Sequence, residues 1–143
     1  MTSAPTRPRS RAAQQFSWLL TNLTEETSGL REAVVVSARG GLLAMSANLY
    51  RPDADRLAAI VTALVSIADG SGRAYDLGRP TKVVIDLDGG YLIAQALATD
   101  VMLGVLATKE ASMGSLGFAV ATFVGEAAGL LTPKLIEELS TDR

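Results

Sequence analysis

Residues 81–108 read TKVVIDLDGGYLIAQALATDVMLGVLAT, and this stretch decides the fold. Residues 81–88 form one β-branched run, which turns through Asp88-Gly89-Gly90 into a second run over 91–98. A two-residue link, Thr99-Asp100, leads into a third, Val101–Thr108. Links this short can join only antiparallel neighbours. Working outward, Ala33-Val34-Val35-Val36-Ser37, the turn Arg39-Gly40-Gly41 and the return Leu42-Leu43-Ala44-Met45 read as another antiparallel hairpin. Val34-Val35-Val36 and Val83-Val84-Ile85 are apolar on successive residues, which predicts strands covered on both faces of the sheet.

The covers must be helices. Phe16, Leu19, Leu20, Leu23 and Thr27 recur at helical spacing over 12–26, with Gly29 as a stop. A second helix is expected over 53–69, opened by Pro52 and closed by Gly70-Ser71-Gly72. A third is expected over 115–131, with Leu116, Val120, Phe123, Val124, Ala127, Leu130 and Leu131 on one face. Thr132-Pro133 resembles an N-cap followed by Pro at the first helical position, so a kink or fresh short helix should carry Leu135, Ile136 and Leu139. The prediction is an α+β chain, a five-stranded antiparallel sheet with helices on both faces.

The 143 residues suit one domain, and a chain near that length buries roughly 68–70% of its unfolded surface. Residues 1–11 read as a disordered basic leader with Arg7, Arg9 and Arg11, and 12–143 as the single domain. No secretory pattern is present in the leader, and the expected location is cytoplasmic. The chain has no Cys and no His, which excludes thiol nucleophiles, Ser-His-Asp triads and His-ligated metals. Thirteen basic and fifteen acidic residues give no general field for nucleic acid. Gly-rich Arg39-Gly40-Gly41 and Gly70-Ser71-Gly72 lack the Lys-Ser/Thr of a phosphate loop and read as turns. Asp86 and Asp88 share a strand face but belong to a solvated strand end before a turn. Neither a catalytic group, a metal site nor a cofactor is expected.

The second helix is the informative one. Its residues 57–68 carry no charge. At about 100° per residue, Leu57, Ile60, Val61, Leu64 and Ala68 share an inward face. Opposite them stand Asp55, Ala59, Thr62, Ser66 and Asp69, with Ala63 beside them: a smooth strip with an acid at each end. Such a strip admits a close approach, and it is the expected partner-binding surface. Lys82, Val83, Val84, Ile85 and Asp86 form a candidate edge strand with one early gatekeeper, expected to pair with its copy in a homodimer. Trp18 lies past the edge of the first helix's stripe and is expected against the last helix.

The order of pieces resembles the roadblock/dynein light-chain domain in its bacterial form. The resemblance rests on Ala33-Val34-Val35-Val36-Ser37, the Gly40-Gly41-Leu42-Leu43-Ala44 return and Asp53-Ala54-Asp55-Arg56-Leu57-Ala58-Ala59. It rests also on Asp88-Gly89-Gly90-Tyr91-Leu92 and Gly114-Ser115-Leu116-Gly117. It is most similar to actinobacterial members encoded beside a sensor kinase and a small Ras-like GTPase. The resemblance implies a non-enzymatic homodimeric platform that binds such a GTPase and modulates its nucleotide cycle. Arg51 and Arg56 lie near the second helix's start, and neither is singled out as an arginine finger. The alternative from another class is a small-ligand sensing domain with a cavity between sheet and helix. Its mark would be polar residues on the inward face of the second helix.

Overall fold

The computed structural model describes residues 9–39 and 41–141. Residues 1–8 of the expected leader lie outside the described residues. Its last residues do not continue a disordered tail. Ser10 is the N-cap of α1 (Arg11–Glu26), its Oγ accepting from the Ala13 N–H at 3.1 Å. The Ser10 N–H donates to Glu138 at 3.1 Å, and Arg9 donates to Ser17 Oγ at 2.9 Å. Capping recruits Ser10 because the first helical N–H groups have no partner within the helix.

Five strands follow the expected plan: β1 (Leu30–Ser37), β2 (Leu42–Met45), β3 (Lys82–Leu87), β4 (Gly90–Ala98) and β5 (Val101–Thr108). All neighbours are antiparallel, in the order β2-β1-β5-β4-β3. Helices α1, α3 (Met113–Ala127) and α4 (Pro133–Thr141) cover one face. There Phe16, Leu20, Leu116 and Phe123 pack on Val35, Ile93, Leu103 and Val105, with the two Phe rings 6.1 Å apart. The single long helix α2 (Arg51–Ala74) covers the other face. The fresh helix at the end forms as its sequence predicts. A 3-10 turn at Ala128–Leu130 closes α3, and Thr132 Oγ1 accepts from the Leu135 N–H at 3.2 Å to open α4.

Three expectations are corrected. First, α2 does not stop at Gly70-Ser71-Gly72. It runs through to Ala74 and ends in a Schellman arrangement, with Asp76 left-handed at φ 55 and the Leu77 N–H donating to Gly72 O at 2.7 Å. Gly72 serves packing instead, since a Cβ there would lie 1.9 Å from Gly78 O. The Arg73–Asp69 pair at 2.9 Å spans the same turn. Second, Val83-Val84-Ile85 is not covered on both faces. Val83 and Ile85 pack toward α2, but Val84 is 41% exposed because none of the described helices covers β3 from the α1 side. Third, Trp18 is 63% exposed. It lies two residues from Phe16, about 200° around the helix, and so points away from the buried stripe.

Candidate interaction surface

Helix α2 sits close to the sheet because small residues meet there. Ala54, Leu57, Ala58 and Val61 are buried against Val34, Val36, Leu92, Ala94 and Met102. Gly104 on the central strand β5 makes the approach possible, since a Cβ on it would lie 2.5 Å from Val61 Cγ2. With Ala54 and Ala58 turned inward, the buried arc is rotated from the expected one by less than a residue step. Ile60, expected inside, is 42% exposed, and Ile67 is 69% exposed.

The outward ridge therefore consists of Ala59, Ile60, Ala63, Ser66, Ile67 and Gly70, bounded by Arg56 at one end. Of the predicted partner residues, Asp55, Ala59, Ala63 and Ser66 are exposed. Asp55 is engaged by Arg51 at 3.1 Å, an exposed pair of small energetic value. Thr62 and Asp69 are only half-exposed, and they turn toward the sheet end rather than the ridge crest. The Thr62 hydroxyl donates to Ala58 O at 2.8 Å. Ile60 and Ile67, seven residues apart, also stand on the exposed face. Sequence alone puts Ile60 inside for its apolar side chain and leaves Ile67 unassigned.

The second feature is β3, one bare edge of the sheet. Leu87 and Gly90 flank a two-residue turn, and the Ala96 N–H donates to Thr81 O at 2.9 Å. Alternate residues Val83, Ile85 and Leu87 thus turn their backbone groups toward β4. Lys82, Val84 and Asp86 turn theirs to the open edge. Asp86 is also bonded by Lys109, whose ammonium stands 4.0 Å above the Tyr91 ring. The hydrogen bond to Asp86 raises the Lys109 pKa from its ordinary value. Asp86 and Asp88 thus gather no further acid: among the described residues, no group of three or more potential metal ligands occurs.

Between the C-terminal half of α2 and the sheet end lies a cavity of about 500 Å³. Val36, Val65, Ala96 and Met102 form its apolar part. Thr62, Ser66, Asp69 and Arg73 of α2 line one side, and Arg79, Thr81 and Asp100 the other. Polar groups therefore stand on the flank of α2, while its inward face is aliphatic as expected.

Residues 16–107 match the family model described as the Roadblock/LC7 domain. Among curated proteins, none matches the chain. A Roadblock/LC7 domain from Streptomyces avermitilis is similar at 28% identity, over 80% of this chain and 96% of that one, with a TM-score of 0.75. Myxococcus xanthus MglB is similar at 15% identity, over 93% and 96% of the two chains, with a TM-score of 0.75. Schizosaccharomyces pombe profilin, at 14% identity and a TM-score of 0.57, covers 82% of this chain and 99% of its own. At identities of 15% and 14% the likeness concerns the fold alone.

Proposed function

Because this chain belongs to the Roadblock/LC7 domain family, we propose that it is a non-enzymatic regulatory scaffold, a homodimer that binds a small Ras-like GTPase and modulates its nucleotide cycle. The observation that carries this proposal is the uncharged outward ridge of α2 standing on the same sheet as a bare apolar edge. A helix surface facing water ordinarily carries Lys, Glu or Arg, and this one presents two isoleucines among Ala, Ser and Gly.

Pairing of β3 with its two-fold mate satisfies the outward N–H and C=O groups of Lys82, Val84 and Asp86 and joins two five-stranded sheets. Each protomer's α2 then lies on the same face of the joined sheet, which doubles the apolar ridge. Two ridges together can reach the roughly 1,000 Å² of a specific interface. The GTPase supplies its own catalytic groups in this reading, and the scaffold positions them. We place the protein in the cytoplasm, in a system with a sensor kinase among its components.

The test is a titration of the dimer with the Ras-like GTPase encoded beside it, in each nucleotide state. The Ala59→Arg/Ser66→Arg double variant should abolish binding and leave melting and dimer mass unchanged, because both positions are exposed. Retained binding by that variant rules the ridge out. Loss of the dimer instead assigns the ridge to self-association and sends the GTPase elsewhere. Val84→Pro removes an outward N–H without touching the β3–β4 ladder, and should yield a folded monomer; a variant that stays dimeric overturns the edge pairing.

A further inference from the structure

The cavity beneath the flank of α2 shares Ser66 alone with the ridge residues, and its chemistry is divided in a way that bulk solvent does not require. Its volume, about 500 Å³, lies within the range of small-molecule sites. Val36, Val65, Ala96 and Met102 offer an apolar bed. Above that bed stand two ion pairs on different walls: Arg73 with Asp69 at 2.9 Å on α2, and Arg79 with Asp100 at 3.4 Å at the sheet end. Both arginine side chains are strongly exposed. Such exposed pairs contribute little, so either arginine can exchange its aspartate for another oxyanion at small cost.

The two signs of charge are not equivalent here. Each aspartate has a single methylene. Asp100 is anchored in a left-handed turn, at φ 60, with its carbonyl held by the Ala38 N–H at 2.7 Å; Asp69 is fixed on the helix. The arginines have long stems that can swing over the mouth, and their planar forks match a carboxylate or phosphate. We propose that this cavity binds a small amphipathic anion, its apolar tail on Val36, Val65, Ala96 and Met102 and its carboxylate or phosphate on Arg79, with Arg73 as the second cation. Occupancy touches Thr62 and Ser66 of α2 from the sheet side, so the ligand lies directly beneath the helix that carries the ridge.

The experiment titrates the full-length protein with octanoate, octyl phosphate and octylammonium, following melting temperature and heat of binding. A ligand that binds only the native form raises the melting temperature. The expected result is a rise with one or both anions and none with octylammonium; the tighter anion identifies the head group. Arg79→Ala should weaken that anion by about tenfold or more, as loss of a charge-assisted hydrogen bond requires, with unliganded melting unchanged. Arg79→Lys should fall between, keeping the charge without the fork. Amide shifts of Ala96 and Met102 on titration locate the tail. Absence of any anion effect overturns the site. So does octylammonium binding as well as octanoate, or an Arg79→Ala variant that binds like the parent. None of these outcomes depends on the GTPase reading, which Ala59→Arg tests at a ridge position that does not line the cavity.

Discussion

Val34-Val35-Val36 and Val83-Val84-Ile85 are nearly the same string, yet they end in different surroundings. In β1 all three side chains are buried, Val35 under α1, Val34 and Val36 under α2. In β3 the alternation survives: Val83 and Ile85 lean on α2, while Val84 faces outward. The difference follows from place in the sheet. β1 is flanked by β2 and β5 and has helices on both faces, whereas β3 is the last strand and has a helix on only one. An apolar triplet in a strand therefore demands a cover but does not say what the cover is. For β1 it is the chain's own helices. For β3, the proposed cover at the edge is a second copy.

The largest effect that could break this comparison is a charge placed in each triplet. Val35→Asp buries a carboxylate with no partner and should cost about 4 kcal/mol or more, enough to unfold most of the protein at room temperature. Val84→Asp should change monomer stability by no more than about 0.5 kcal/mol, because the site is open. Urea midpoints measure both, read at concentrations low enough that parent and variants are monomeric. Equal losses would show that the two triplets are covered alike.

A smaller effect sharpens the central side of the comparison. Gly104→Ala puts a methyl group into Val61 Cγ2 and near Val34 Cγ2, and the helix must lift to admit it. The expected cost is about 1–3 kcal/mol, read as a lowered melting temperature with unchanged strand content. A neutral result would mean that α2 is not seated on β5 as closely as the structure has it.

At the edge the expected effect is one of association. If the proposed edge pairing holds, Val84→Asp should convert that dimer to a folded monomer by sedimentation at tens of micromolar. A dimer that survives this change pairs through some other surface.

The smallest effect concerns Lys109, which bridges Asp86 on β3 and the Tyr91 ring on β4. Its folded pKa is raised above the ordinary 10.5, chiefly by the hydrogen bond to Asp86. A raised Lys pKa contributes stability that is present below the unfolded value and lost as pH rises through the folded one. Lys109→Met should therefore melt slightly below the parent at neutral pH, and the two should converge above pH 10.5. A difference that persists or widens at high pH would show that packing over Tyr91 matters more than the charge.

Much of this fold is legible before any coordinates. The links Asp88-Gly89 and Thr99-Asp100 permit only antiparallel partners, and Thr132-Pro133 opens α4 through a local hydrogen bond. Turns and caps depend on neighbours in sequence, so sequence is enough to recognise them. The stop assigned to Gly70-Ser71-Gly72 came too early because the left-handed residue that ends α2 is Asp76, not a glycine, while Gly72 answers to the close approach of Gly78 O.

By itself the sequence determined the order of elements, their antiparallel pairing, the lack of His and Cys, and the existence of an uncharged length of α2. Tertiary structure alone decided which way that helix turns. Gly104 admits Val61, Ala54 and Ala58 follow it inward, and Ile60 and Ile67 are left outside. It decided also that the flank carrying Thr62, Asp69 and Arg73 meets Arg79 and Asp100 around one cavity. The physical reason is that a helix's rotation is set by how closely its small residues let it approach a particular strand. Hydrophobicity along the sequence measures the cost of exposure, but not which neighbour is available to relieve it.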